Sequence, residues 1–244
     1  MNLEFLDVSG NGLDRLDALR NCRHLREIRA DDNKIKGIEG LWGMDGLVKL
    51  RARRNQIESV DFKGSGLKRL TDLDLRGNHL TTLTNLHHLP TLLNLNLDDN
   101  HLTTLTSSPV PSLRSLKLQN NLLSTLSLSP FPSLRILYLD SNPLHSLTHT
   151  SRCVSLDSVS LRSCSPWTPP QLLSLLRALT DARKIYLSGN DIHALPERGM
   201  PRFLNCQLLE MANTGLEEIP RGWEKTFPNL RRCNLNWSGV GEEG

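Results

Sequence analysis

Five arginines, Arg29, Arg51, Arg53, Arg54 and Arg76, stand in the first third of this 244-residue chain, and Arg29–Arg51 and Arg54–Arg76 are each separated by 22 residues. A guanidinium offers a planar fork of donors that matches a carboxylate or phosphate bidentately. Gathered on one face, these five form a patch able to take an acidic or phosphorylated peptide. Acids recur beside them: Asp7 and Asp74 share a column with Arg29 and Arg51, while Asp31 and Asp98 share one with Arg53 and Arg76. Asp7 and Asp74 are expected to reach the first arginine pair, and Asp31 and Asp98 the second. The plainer reading is that these charges neutralise one another laterally, each exposed pair contributing at most ~1 kcal/mol. The sharper one is that a phosphorylated partner wins the guanidinium groups from their acids. Farther along, Tyr138, Tyr186 and Trp237 are candidate aromatic anchors, and this part of the face reads as neutral and aromatic.

Other candidates for chemistry carry less. His79 and His101 are 22 residues apart and would stand side by side on neighbouring repeats, but two exposed histidines are ordinarily solvated side chains, and no metal site is expected. The sequon Asn236-Trp237-Ser238 is short enough to arise by chance. A phosphate-cradling glycine loop, a G-x-S-x-G turn and an H-E-x-x-H helix are all missing. The chain offers no positioned nucleophile or acid–base pair, so it reads as a non-enzyme with no cofactor and no small-molecule substrate.

What positions these residues is a repeat. Around Asn78, leucines sit at Leu70, Leu73, Leu75, Leu80 and Leu83; around Asn100, at Leu92, Leu95, Leu97, Leu102 and Leu105, the same offsets one period later. This is the leucine-rich pattern L-x-x-L-x-L-x-x-N-x-L. Leucines at spacing two share one side of a short strand, and the others bring the turn and the returning segment over the same interior. The Asn amide can both donate and accept where the chain leaves the strand. The reference position recurs at Asn11, Asn33, Asn55, Asn78, Asn100, Asn121, Asn142, Cys164, Asn190, Thr214 and Ser238, in steps of 21 to 26 residues. Eleven such rungs predict an α/β solenoid, a leucine-rich-repeat horseshoe with one parallel concave sheet of about eleven short strands, each centred some four residues before its reference residue. Residues 1–244 read as one repeat domain, and the lack of a polar cap at either end suggests a piece of a longer protein.

The returns differ. Those of the first five repeats, such as EGLWGMDGL, suit short helical turns on the convex side. Pro109 with Pro111, and Pro130 with Pro132, disfavour helix and predict extended segments. Thr168-Pro169-Pro170 followed by QLLSLLRAL predicts a true convex helix from about Pro169 to Thr180.

The charge balance, 29 basic to 26 acidic residues, implies neither nucleic acid nor an anionic membrane as partner. No apolar run approaches the ~18 residues of a membrane span. The five cysteines include no C-x-x-C; Cys206 and Cys233 fill leucine slots and Cys164 an Asn slot, so they read as small buried hydrophobes in a reducing compartment. Extracellular members of this repeat class have cysteine-rich caps. None is present here, and the chain reads as intracellular.

The stretches SLDSVSLRSCS (155–165), KIYLSGNDI (184–192) and FLNCQLLEMANTGLEEIPRGWEKTFPNLRRCNLNWSGV (203–240) narrow the resemblance. They are similar to the closing repeats of the fungal spindle-pole-body scaffold of the septation-initiation and mitotic-exit networks, the counterpart of animal centriolin. The resemblance spans the whole chain and is diagnostic from about Ser155; CNLNWSG departs from that family's LNLNFN-type ending. It implies a non-enzymatic scaffold at the spindle pole, a cytoplasmic, cytoskeletal location, and partners drawn from a small-GTPase module, a kinase complex or a spindle-pole anchor. It carries over no binding residue. The earlier rungs equally fit the regulatory subunit of protein phosphatase 1, which stands as the alternative.

Overall fold

The computed structural model describes residues 2–149, 156–164, 166–195, 199–219 and 221–236. Every rung contributes one three-residue strand to an 11-stranded sheet, in chain order from Phe5–Asp7 to Arg232–Asn234. All pairings are parallel and in phase with the repeat: Asp7 lies opposite Arg29, Arg29 opposite Arg51, and Arg51 opposite Asp74. The horseshoe expected from the leucine period is therefore borne out. Each strand is centred five residues before its reference residue, as Ile28 is before Asn33, one residue earlier than expected. The reason is the buried leucine at that position, flanked on both sides by outward-facing residues.

The leucines form one continuous core that runs the length of the solenoid; Leu73, Leu75, Leu80, Leu95, Leu97 and Leu102 are all at most 1 % exposed. The asparagines close each turn as a buried ladder. Asn100 Nδ2 donates to the carbonyls of Leu75, Leu97 and Asp98, and its Oδ1 accepts from the Leu80 backbone N–H. One amide thus satisfies groups on two rungs at once. Where the Asn is lost, the donor survives: Cys164 Sγ reaches the Leu139 carbonyl at 3.3 Å, and Thr214 Oγ1 the Met211 carbonyl at 2.9 Å. The acceptor does not, and the Leu144 N–H turns instead to the Asn142 carbonyl.

The residue just before each reference position adopts positive φ on all ten rungs from Gly10 to Asn213, and Asp32, Arg54, Asp99, Asn120, Ser141 and Ser163 do so without being glycine. The inward turn of the chain demands this conformation whatever the side chain.

On the convex side, 3₁₀ turns occur at Asp17–Leu19, Glu39–Leu41 and Leu86–His88. The helical expectation holds for the first, second and fourth returns and fails for the third, while the fourth carries a short strand ahead of its turn. Ser59–Asp61 pairs with Thr82–Thr84 in a small parallel ribbon, because neighbouring returns of matched length satisfy each other's backbone groups better than isolated helical turns do. A second ribbon joins Thr125–Ser127 to Ser146–Thr148. Neither proline-paired return is helical. The expected helix runs Pro169–Ala178, its start fixed by the Thr168 N–H donating to Gln171 Oε1 at 2.8 Å. A short helix at Trp223–Thr226 was not expected from the sequence.

Candidate interaction face

The outward residues of the strands line the concave face, and the five arginines lie on it or on its rim. The structure gives each of them an acid of its own. Arg29 Nη2 is 2.8 Å from Glu27, Arg51 Nε 2.7 Å from Asp31, and Arg53 Nη2 2.6 Å from Asp74. Arg54 Nε is 2.5 Å from Asp32, and Arg76 Nε 2.7 Å from Asp99. This corrects the expected partners. Asp7 is turned onto Ser9, which lowers its pKa, and Asp98 makes no ion pair among the described residues. The physical reason is the reach of the guanidinium: Arg51 and Arg53 cross diagonally into each other's column, Arg76 turns to Asp99, Arg29 takes Glu27 on its own strand, and Arg54 meets Asp32 in its own column. The Asp74 hydrogen bond raises the Arg53 pKa further, and the Arg54–Asp32 pair raises the arginine and lowers the carboxyl.

Asp31, Asp98 and Asp140 do a second job that the sequence did not reveal. Each accepts a backbone N–H from the next rung, at Arg53, Gln119 and Arg162 respectively. Asp31 also has Arg51 against it, whereas Asp98 is sealed in without a contacting cation, and burial pushes its carboxyl up to about 6.

The later part of the face is not neutral, as expected, but cation-capped. Arg162 lies 4.5 Å over the Tyr186 ring and bonds Glu210 at 2.8 Å, two rungs away; Lys117 lies 5.8 Å over Tyr138. Between the two tyrosines stands Ser160, in register with both. Trp237 and Ser238 lie outside the described residues, as does Cys153. Around the arginines the face holds a shallow depression of about 330 Å³, lined by Arg29, Lys49, Arg51, Asp74, Asn96 and Lys117 among others.

His79 and His101 stack with ring centroids 5.8 Å apart, as their spacing predicts, and no third ligand joins them among the described residues. Cys164 and Cys206 are buried, with burial raising their thiols to about 12 and about 11. Cys233, expected to be buried, is exposed, its strand being the outermost of the sheet among the described residues.

One set of charges escaped the sequence reading. Seven residues before the reference position, the column reads Arg114, Arg135, Asp157, Arg183, Gln207 and Arg231, consecutive rungs joined by backbone hydrogen bonds along one lateral edge. The signal was present at the same period, one residue ahead of the strands.

No protein-family model matches this chain, and comparison with curated proteins finds no match. Solved structures do match. The leucine-rich repeat domain of APL1B aligns with a TM-score of 0.75 at 20% identity, over 96% of this chain and 68% of that one. A chain of the octameric complex of Latrophilin 3, Unc5D and the leucine-rich-repeat part of FLRT2 gives 0.72 at 18% identity, over 95% and 74%. An internalin from Listeria monocytogenes gives 0.66 at 19% identity, over 84% and 60%. With the in-phase parallel sheet, the leucine core and the asparagine ladder, these likenesses establish the fold of the chain as a leucine-rich-repeat solenoid.

Proposed function

We propose that the chain is a non-enzymatic scaffold whose concave face holds an extended segment of a partner protein. The observation that carries this is the face itself: eleven strands in one phase present side chains that take no part in the core, around a shallow depression lined by Arg29, Arg51, Arg53 and Lys117. The arginine pairs there are half exposed, so an acidic or phosphorylated segment exchanges partners with them instead of meeting free charge, giving moderate, salt-sensitive affinity. Tyr138 and Tyr186 extend the same surface, and Trp237 belongs to the proposal by its place in the repeat.

The sequence resemblance supports a finer reading: a docking platform at the spindle pole body, cytoplasmic and cytoskeletal, anchoring small-GTPase-module components and a kinase complex in mitotic exit or septation. A phosphatase 1 regulatory role is the second reading, supported by the early 22-residue rungs. The test is a direct binding measurement with purified GTPase-module and kinase components and with a phosphatase 1 catalytic subunit. It is run on the wild-type chain, Arg51→Glu/Arg53→Glu and Tyr138→Ala/Tyr186→Ala. Loss of binding in either double variant supports the concave face, and the component that binds chooses between the readings. Full binding by both variants would move the site off this face.

A further inference from the structure

The concave arginines that attract attention in the sequence are all spoken for, whereas the lateral edge carries arginines that are not. Arg114, Arg135, Arg231 and Arg232 are exposed and have no acid within ion-pair distance among the described residues. Arg183 and Lys184 share one carboxylate, Asp157, at 3.6 and 3.8 Å, too long for tight pairing. Two grooves run along this edge and join at Arg183 and Asn205: one of about 500 Å³ that includes Arg135, Asp157 and Asp181, and one of about 210 Å³ that includes Gln207, Asn229 and Arg231. Among the described residues, an edge with six cations and only Asp157 and Asp181 against them is an unbalanced charge surface in a chain whose total is close to neutral.

Its periodicity says what would fit. The Arg135, Asp157, Arg183, Gln207 and Arg231 backbones are hydrogen-bonded rung to rung, so successive column positions stand ~4.8 Å apart. Arg135, Arg183 and Arg231 occupy alternate rungs and repeat at roughly 10 Å. A polyproline-II segment rises ~3.1 Å per residue with three residues per turn, which puts every third side chain on one face at ~9.3 Å intervals. In a fully extended strand, by contrast, every third side chain points to the opposite face. Asp157 between the arginines disfavours a continuous phosphate backbone, and Gln207 and Asn205 offer amide groups to a peptide. We infer that this lateral groove is a second docking surface, separate from the concave face, for an acidic polypeptide in polyproline-II conformation with a carboxylate or phosphate at every third residue.

The test is fluorescence anisotropy with a labelled (Glu-Pro-Pro)₄ peptide on the whole chain. Controls are a peptide of the same composition with its glutamates in one block, (Lys-Pro-Pro)₄, and a single-stranded RNA of equal charge. Arg135→Glu/Arg183→Glu/Arg231→Glu, all at exposed positions, should weaken the periodic peptide by about tenfold or more, with the far-ultraviolet circular dichroism unchanged. Arg51→Glu/Arg53→Glu should leave it unaltered, which separates failure here from failure of the concave site. Equal binding of the blocked peptide, tighter binding of the RNA, or unchanged affinity in the triple variant would each overturn the inference.

Discussion

At the scale of single residues, two buried polar groups invite opposite predictions. Asn100 is fully committed, with three donations and one acceptance inside the core, so Asn100→Ala strands backbone groups on two rungs. It should lower stability by about 1–3 kcal/mol, read by urea denaturation. Asp98 is the reverse case. It accepts the Gln119 N–H, yet burial without a contacting cation lifts its carboxyl from the ordinary 3.8 to about 6. Because the folded state holds this proton more tightly than the unfolded, the stability it carries is full below pH 3.8 and is lost as pH rises through 6. At pH 7 the ionised form costs about 3 kcal/mol. Asp98→Asn keeps an oxygen for the Gln119 N–H, so it should stabilise the chain at pH 7, with little gain at pH 4, in denaturant titrations at the two pH values. A third prediction concerns the left-handed position. Gly77, at φ +69, would bring an added Cβ to 3.2 Å from Arg54 Cγ, so Gly77→Ala should cost about 1–2 kcal/mol by the same denaturant assay.

At the scale of elements, a rung is only as firm as its neighbours on both sides. Leu97 is wholly buried between two rungs, whereas Leu235 packs only partly against the core. Leu97→Ala should cost about 2–5 kcal/mol, and Leu235→Ala clearly less, with hydrogen exchange fastest around the last described strand. The elements also show what a sequence displays and what it hides. The leucine period and the Thr168-Pro169-Pro170 start are local signals, and the sheet and the convex helix follow from them. The ribbon between Ser59–Asp61 and Thr82–Thr84 is not local: each half becomes a strand only because the other lies beside it. Side-chain partners are hidden in the same way. The columns place Arg51 one rung from both Asp31 and Asp74, and only the rotamers send it to Asp31. The lateral arginines were legible as a column, but their lack of acids is a fact of three dimensions.

At the scale of the whole molecule, backbone pairing among the described residues passes only from rung to rung, since each strand of the large sheet pairs with the rungs before and after it, and the longest side-chain ion pair, Arg162–Glu210, spans only two. That arrangement makes the molecule a series of nearly equal links. Pulled from its ends, such a stack has no distant clasp among its described residues, so it should peel one rung at a time at low force. Each 22-residue link released would add roughly 75 Å of contour length, and the 26-residue link between Cys164 and Asn190 roughly 90 Å. Optical-tweezer records should therefore show a regular staircase with one overlong tread, and that tread would mark the passage of the convex helix; a single cooperative rip would show that the links fail together. Under the docking roles proposed above, such a staircase means yielding gradually under tension, so that one surface is drawn out while the other still grips.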